Sequence, residues 1–253
     1  MQTIDINCDM GESTSLWPYH IENDIALFPY LSSINIACGS HAGDACTMHE
    51  LVDAALIKGV AVGAHPGFDD KENFGRTCMN LSALKIYDSI IYQLGALDAF
   101  LKINGTKLHH IKPHGALYNM AAKDPAIANT ICRAVKEYDA GLILYGLSGS
   151  ELINAANTVD LKNCSEVFAD RTYQDDGSLT PRSAGNALIK DEEQSLQQVL
   201  RMAMDGTVVS TSGRTIPVKA DTVCIHSDGG QALAFAKRIH QALNKKNIEI
   251  RSV

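Results

Sequence analysis

This chain of 253 residues has fewer basic than acidic residues, and its cysteines are not closely spaced in pairs. Asp and Glu number 29 against 22 Lys and Arg, which gives a formal net charge of −7. Nucleic acids and anionic membranes bind basic surfaces, so this balance argues against both as partners. The seven cysteines include no C-x-x-C pair, which is typical of reduced thiols in a cytosolic protein rather than of a disulfide framework.

Long apolar runs and familiar nucleotide motifs are also absent. No apolar run approaches the roughly 18 residues of a membrane-spanning helix. Residues 1–7 alternate like a strand, without the basic and apolar segments of a signal peptide. We therefore expect a cytoplasmic protein.

Neither G-x-x-x-x-G-K-S/T nor G-x-G-x-x-G occurs, which excludes a P-loop and a dinucleotide-binding fingerprint.

The sequence pattern predicts strands that alternate with helices. Hydrophobic residues make up 45% and charged residues 20% of the chain, as in a soluble globular protein with a sizeable core. Seven short β-rich runs alternate with helical patterns, at residues 3–8, 33–37, 60–64, 108–112, 142–145, 166–169 and 222–225. This order predicts βα units on a parallel sheet. It favours one α/β domain over residues 1–253, closed as a seven-stranded, TIM-like (β/α) barrel, with a doubly wound open sheet as the alternative.

Three smaller features are predicted as well. Thr47 with Glu50 three residues later forms a capping box, which places the start of a helix at Thr47. Residues 207–218, interrupted by Ser212 and Gly213, predict a small hairpin. Residues 248–253 are a candidate closing strand.

Polar and ionisable residues follow most of the predicted strands. In a βα barrel, the loops after the C-terminal strand ends meet on one face and form the active site. The residues that this chain places there are Asn7, Asp9, Glu12, His41, Asp44, His65, Lys112, His114, Asp170, Arg171, His226 and Asp228. Any one of them taken alone is most often structural. Because six of the seven strands end this way, we predict that these residues form one functional cluster.

The stretch of residues 33–44 shows this pattern most clearly. A short apolar run gives way to Gly39 and Gly43, which place His41 and Asp44 on a tight turn. Glycines at these positions allow the backbone to approach a ligand closely. The turn is therefore a candidate part of the functional cluster.

Three uses of such a cluster compete on the residues alone. Asp and several His residues from different strands suit Zn²⁺ or another divalent ion with an open water position, although H-E-x-x-H is absent. The same side chains suit metal-free acid–base catalysis, in which Asp9 or His41 takes a proton from water and a second imidazole protonates a leaving nitrogen. Lys112, Arg171 and Arg182 suit the binding of a carboxylate or a phosphate.

Several runs of residues resemble the LamB/YcsF family. They are residues 5–12 (DINCDMGE), 35–44 (NIACGSHAGD), 63–66 (GAHP), 73–76 (NFGR), 112–119 (KPHGALYN), 166–171 (EVFADR) and 224–226 (CIH). The match covers nearly the whole chain, and the run at 112–119 is highly specific. At residues 227–230 the chain has SDGG, where the family pattern has Gly-Asp, and Ser227 would narrow a pocket beside His226.

The resemblance implies a barrel of the glycoside hydrolase/deacetylase type. It also implies a 5-oxoprolinase reaction, in which 5-oxo-L-proline (pyroglutamate), ATP and water give L-glutamate, ADP and phosphate. 5-Oxoprolinase subunits B and C are the implied partners. Mg²⁺ is expected with ATP, and a further divalent metal is left open. Because the P-loop is absent, ATP would bind at an unfamiliar site on this barrel, on subunits B and C, or between them.

For this reaction we expect two groups of site residues. The catalytic group is Asp9, His41, Asp44, His65 and His114. The substrate-binding group is Asn7, Glu12, Arg76, Lys112, Asp170, Arg171, Arg182 and His226. Asp9 or Asp44 would be the base, and His114 or His65 the acid toward the ring nitrogen. A stand-alone metal-dependent, deacetylase-like hydrolase and a non-catalytic substrate carrier are the alternatives.

Overall fold

The computed structural model describes residues 2–18, 20–226 and 232–253. The strands in chain order are β1 (Thr3–Met10), β2 (Ser33–Ala37), β3 (Ala61–His65), β4 (His110–Ile111), β5 (Ile143–Leu147), β6 (Asn163–Phe168), β7 (Thr207–Val209), β8 (Thr215–Pro217), β9 (Thr222–His226) and β10 (Glu249–Ile250). The helices are α1 (Ile21–Ile25), α2 (Ala45–Lys58), α3 (Ala83–Ile103), α4 (Gly115–Ala121), α5 (Pro125–Tyr138), α6 (Glu151–Thr158), α7 (Glu192–Asp205) and α8 (Ala232–Lys245).

Seven parallel strands close into a barrel. Their order is β1-β2-β3-β4-β5-β6-β9, and the ring closes because β9 pairs with both β6 and β1. This confirms the predicted (β/α) barrel, and the doubly wound open sheet is wrong. β7 and β8 form the predicted antiparallel hairpin. The C-terminal strand β10 does not close the barrel but pairs with β1 from beside it, with Thr3 opposite Glu249.

The two faces of β1 explain how the barrel is built. Ile4, Ile6, Cys8 and Met10 are buried and join the apolar core that surrounds the barrel, together with helix residues such as Leu51 of α2. The residues between them are Asp5, Asn7 and Asp9, which are also buried but point into the barrel. Side chains on a strand alternate between its faces, so the period-2 pattern separates an apolar shell from a polar interior.

The polar interior is held by hydrogen bonds that cross the barrel. The Asn7 side-chain amide donates to the Thr222 hydroxyl at 2.7 Å, and its carbonyl oxygen accepts from the Asn35 amide at 2.7 Å. His110 Nε2 lies 2.7 Å from Asn35 Oδ1. Its ring fills the space next to Gly63, where a Cβ would come within 2.1 Å of His110 Nε2. The barrel therefore has a filled, hydrogen-bonded floor below its C-terminal rim.

Side-chain caps set the start of several helices. Ser82, Asp124 and Asp191 accept hydrogen bonds from backbone N–H groups at the starts of α3, α5 and α7. The predicted start of α2 at Thr47 is wrong, because Asp44 is the N-cap and its carboxylate accepts from Thr47 N at 2.8 Å. Among the described residues, no helix combines the length and apolarity needed to cross a bilayer.

Candidate active site

The C-terminal rim of the barrel brings five of the predicted site residues together. Asp9 lies near the end of β1, Glu12 follows that strand, His65 ends β3, Lys112 follows β4, and His114 precedes α4. These five side chains line one cavity of about 830 Å³. They are all buried or nearly so, with only about a tenth of the Glu12 side chain exposed. The prediction that strand-end residues distant in sequence converge is confirmed for this group.

Lys112 is held between two carboxylates at the base of the cavity. Its ammonium donates to Asp9 Oδ1 at 2.8 Å and lies 2.7 Å from Glu166 Oε1. Burial alone would lower the pKa of Lys112, but the neighbouring negative charges, Asp9 foremost, raise it well above its usual value. The Tyr118 hydroxyl donates to the other Glu166 oxygen at 2.7 Å. Lys112 is therefore a fixed, permanent cation beside Asp9.

Two histidines in the cavity are oriented by backbone carbonyls. A carbonyl oxygen can only accept a hydrogen bond, so His65 Nδ1 donates to the Lys112 carbonyl at 2.7 Å. In the same way, His114 Nε2 donates to the Phe74 carbonyl at 2.8 Å. The other ring nitrogens, His65 Nε2 and His114 Nδ1, lie 2.9 Å apart and face Asp9 and Glu12. Each imidazole thus presents one defined nitrogen to the cavity.

A strained loop supplies one of these carbonyls. Phe74 has a φ of 57°, a left-handed conformation that is uncommon for a residue with a Cβ. The next residue, Gly75, also has positive φ, and a Cβ there would lie 2.7 Å from the His41 Cβ. Strain of this kind persists where the surrounding structure requires it. Here it brings the Phe74 carbonyl to His114 and lets the loop pack on His41.

The histidines have different electrostatic surroundings. Burial and the neighbouring His114 lower the pKa of His41 to about 3. Burial also lowers the pKa of His114. For His65 the charges of Asp9 and Glu12 outweigh the effect of burial and raise its pKa. Burial alone would raise the pKa of Glu12, but His114 and His41 hold it well below its usual range. His41 is therefore neutral, and Glu12 is ionised.

Cationic side chains line the wall of the same cavity. They are Arg76, Lys123, Arg171 and Arg182. Arg171 is buried, donates to the carbonyls of Thr180 and Ala187, and has its pKa lowered to about 10 by burial and by Arg182. The charge of Arg182 is unfavourable for Arg171, and the negative charge of Asp170 offsets part of this effect, as a bound anion would do further. The wall is suited to a carboxylate or a phosphoryl group.

Other predicted residues lie outside this cavity lining. Asn7 is in the barrel floor, where its carbonyl oxygen is 3.3 Å from Lys112 Nζ. His41 is completely buried behind His114. Asp170 is half-buried beside Arg171. Asp44 is exposed and caps α2, so the structure does not bring it into the cluster.

The end of β9 is only partly described. His226 is the last residue of the strand, in register with Asp9, but its side chain lies outside the described residues. Residues 227–230, which include the candidate Asp228, lie outside them altogether.

Sequence reasoning missed Glu166, Tyr118 and Lys123 as site residues. The sequence predicts Glu166 as the first residue of a strand, whereas β6 begins at Asn163 and places this carboxylate in mid-strand, completely buried. A carboxylate inside a buried strand requires a charged partner, but this signal is visible only once the start of β6 is known. Tyr118 and Lys123 carry no comparable signal, since each lies in or next to a helix that looks ordinary in sequence.

Comparison with known proteins identifies the family. The sequence pattern of the LamB/YcsF family matches residues 4–253. The chain belongs to the LamB/YcsF family. It is 53% identical over 250 residues to the A subunit of a 5-oxoprolinase from Brevibacillus brevis, covering 99% of this chain and 98% of the relative. It is 51% identical over 253 residues to the corresponding 5-oxoprolinase protein from Tolumonas auensis, with complete coverage of both.

Solved structures agree with this assignment. The crystal structure of a lactam utilization protein from Thermus thermophilus superposes with a TM-score of 0.92 at 42% identity, over the full length of both chains. A family 4 carbohydrate esterase from Streptomyces lividans has a TM-score of 0.52 at 14% identity, covering 98% of this chain and 91% of its own. The esterase shares the fold alone. The deacetylase-type barrel expected for the LamB/YcsF family is thus confirmed.

A metal could be held by this family member. Among the described residues, Glu12, His41, His65 and His114 each place one potential ligand atom within 4.8 Å of the others. Carboxylate oxygens and imidazole nitrogens suit zinc and related divalent ions. Metal binding and proton transfer, which the sequence predicts as alternative roles for the cluster, therefore involve largely the same side chains.

Proposed function

We propose that this chain is the A component of an ATP-dependent 5-oxoprolinase and opens the lactam ring of 5-oxo-L-proline together with subunits B and C. The observation that carries the proposal is identity above 50% along the full chain with proteins named as the A subunits of 5-oxoprolinases. The cavity supports it chemically. It combines a buried set of proton-transfer groups with a cationic wall, and a lactam hydrolysis coupled to phosphoryl transfer needs both.

The chemistry requires activation because a five-membered lactam is a stable amide. Transfer of the terminal phosphoryl group of ATP to the lactam oxygen releases ADP and leaves an electrophilic C=N carbon. Water adds to this carbon, and one of its protons passes to a base. The ring C–N bond then breaks as the nitrogen takes a proton, which leaves a γ-glutamyl phosphate. A second water hydrolyses this acyl phosphate to L-glutamate and phosphate.

The residues suit these steps by position. Asp9 faces the cavity with one oxygen on Lys112 and the other 3.3 Å from His65 Nε2, so it is the proposed base. His65 or His114 is the proposed donor to the ring nitrogen, because each has one nitrogen directed into the cavity, and the raised pKa of His65 favours His65. Arg171 and Arg182 on the wall would hold the substrate carboxylate and the transferred phosphoryl group.

The test is ATP-dependent glutamate formation by the purified chain, alone and with subunits B and C. We expect turnover only in the complete mixture, with one ADP formed per glutamate. Asp9→Asn and His114→Ala should each lower kcat at least about 100-fold, the range expected for loss of a proton-transfer group. His49→Gln is the matched control, since His49 is exposed on α2. Near-normal turnover by both variants would contradict the proposed roles.

A second function is favoured by the carboxylate and histidine cluster alone. A stand-alone metal-dependent hydrolase would use the same cavity floor without ATP. This candidate predicts hydrolysis of amide or acetyl substrates by the isolated chain, abolished by chelators and unaffected by removal of ATP. Glutamate formation that requires ATP and subunits B and C would exclude it.

A further inference from the structure

A glutamine in the apolar shell outside the barrel is hydrogen-bonded to a loop of the site. Gln93 lies in the middle of α3, completely buried on the helix face that also carries Ile90 and Leu94. Its side-chain carbonyl oxygen accepts from the Gly67 backbone N–H at 3.0 Å, and its amide nitrogen donates to the Gly67 carbonyl at 2.9 Å. The same nitrogen donates to the Ser89 hydroxyl oxygen, one turn earlier in α3, at 3.0 Å. A buried amide is costly without such partners, so these bonds account for a polar residue on an apolar helix face.

The pairing of Gln93 with Gly67 fixes this loop residue both in position and in orientation. Gly67 uses its backbone donor and its backbone acceptor on a single side chain, as paired residues of antiparallel strands do with each other. Because the Gly67 N–H can only donate and its C=O can only accept, one orientation of the Gln93 amide alone satisfies both bonds. Gly67 is itself buried, so a substitution that removes the amide deprives both backbone groups of this partner where water does not readily replace it.

The loop of residues 65–67 contacts each of the three histidines of the site. His65 is the last residue of β3 and begins the loop. The Pro66 carbonyl accepts from the backbone N–H of His114 at 2.9 Å. Gly67 packs against His41 so closely that a Cβ at this position would lie 2.6 Å from His41 Nδ1. A displacement of Gly67 would therefore disturb all three histidines.

We propose that Gln93 is a positioning residue that holds residues 65–67 so that His65 and His114 keep their orientation toward the cavity. Gln93 does not lie among the described residues that line the cavity, so it acts through Gly67. The structural effect is independent of which substrate the chain binds. The catalytic effect rests on the proposed function, in which one of these two histidines transfers a proton, and a misplacement of about 1 Å can lower a rate about 100-fold.

The first experiment observes the histidines directly, by NMR of the full chain labelled with ¹⁵N at histidine. His65 Nδ1–H and His114 Nε2–H are buried and donate to carbonyls, so both should give slowly exchanging signals, which the variants His65→Gln and His114→Gln assign. Gln93→Leu removes both bonds to Gly67 without creating a cavity, and it should shift or broaden both signals. Leu94→Ala, which changes the next residue of α3, is the matched control and should leave them unchanged. Unchanged signals in folded Gln93→Leu would overturn the proposal.

The second experiment measures steady-state glutamate formation by the chain with subunits B and C. In Gln93→Leu, kcat per folded molecule should fall about 10- to 100-fold. KM for 5-oxoproline should stay within about threefold, because the contacts to the bound substrate are unchanged. Leu94→Ala should keep both constants near those of the wild type, although it also removes buried packing from α3.

The outcomes separate this proposal from the proposed function. Circular dichroism checks that each variant is folded, and Gln93→Met takes the place of Gln93→Leu in both experiments if the latter does not fold. Wild-type kcat, or a rise in KM alone, in a folded Gln93 variant would overturn the positioning role. Absence of turnover in the wild type would instead refute the proposed function, and the NMR comparison would still decide whether Gln93 holds the two histidines.

Discussion

The inner and outer faces of the barrel are both buried but are held together by different forces. On β1, the outward residues Ile4 and Ile6 pack among apolar side chains of the surrounding helices. The inward residues Asp5, Asn7 and Asp9 are equally inaccessible, yet each is held by directed hydrogen bonds or ion pairs. Apolar contacts depend on area and volume, whereas a buried polar group requires a specific partner.

This difference separates the parts of the molecule that support the fold from those that support chemistry. The interior of a typical (β/α) barrel is filled by branched apolar residues, which need no polar partners when buried. Here the interior contains carboxylates, amides, a lysine and histidines. Such a network is stable only when every member has its partners. We therefore expect the inner face to respond much more sharply to small chemical changes than the outer face does.

The largest expected effect comes from removing the cation of the inner face. Lys112→Met keeps the volume but leaves Asp9 and Glu166 close together without their shared ammonium. Breaking a buried ion pair in this way costs about 3–5 kcal/mol. The free energy of unfolding, measured by urea denaturation, should fall by this amount. Glu166→Gln in the same variant should recover part of the loss, because one uncompensated charge is removed.

The control for this variant is a lysine on the outer face. Lys102 on α3 is largely exposed and pairs with Asp98 at 2.9 Å. Surface pairs of this kind contribute about 0–1 kcal/mol. Lys102→Met should therefore change the unfolding free energy only slightly. Equal losses in Lys102→Met and Lys112→Met would show that burial does not distinguish the two ion pairs.

A smaller effect on stability is expected from a cavity in the outer shell. Leu94 of α3 is completely buried in the apolar core. Leu94→Ala should lower the unfolding free energy by about 2–4 kcal/mol through lost burial and the cavity left behind. Turnover per folded molecule, assayed with subunits B and C, should remain near that of the wild type. Tyr92→Ala on the exposed face of the same helix is the control and should be close to neutral.

Much of the architecture could be predicted from the sequence, since the period of two in strands such as β1 and the spacing of helical patterns are local properties. The gathering of Asp9, His65, Lys112 and His114 could be predicted as well, because the topology of a parallel barrel brings strand ends to one rim. The role of Glu166 could not be predicted, since its position in mid-strand depends on where β6 begins. Strand boundaries are set by long-range pairing, which a local pattern does not contain.

Asp44 is a second residue whose role could not be predicted from the sequence. His41 and Asp44 both follow β2 and lie three residues apart, and the sequence predicts both as site residues. In the structure His41 is buried behind His114, whereas Asp44 is exposed at the start of α2. An aspartate at a strand end can face the cavity or cap the next helix, and residue type alone does not choose between these roles.

The smallest expected effect comes from substituting Asp44, and it tests whether this residue belongs to the catalytic group. Asp44→Ala removes the N-cap of α2 and should cost about 1 kcal/mol, while Asp44→Asn should retain most of the stability. The Thr47 backbone N–H lowers the pKa of Asp44 below 3.8, so its stabilising contribution is present above that pH and is lost as pH falls through the folded-state pKa. The stability difference between wild type and Asp44→Ala should thus narrow in acid. Turnover per folded molecule should stay within a few-fold of wild type, and a loss near 100-fold would place Asp44 among the catalytic residues after all.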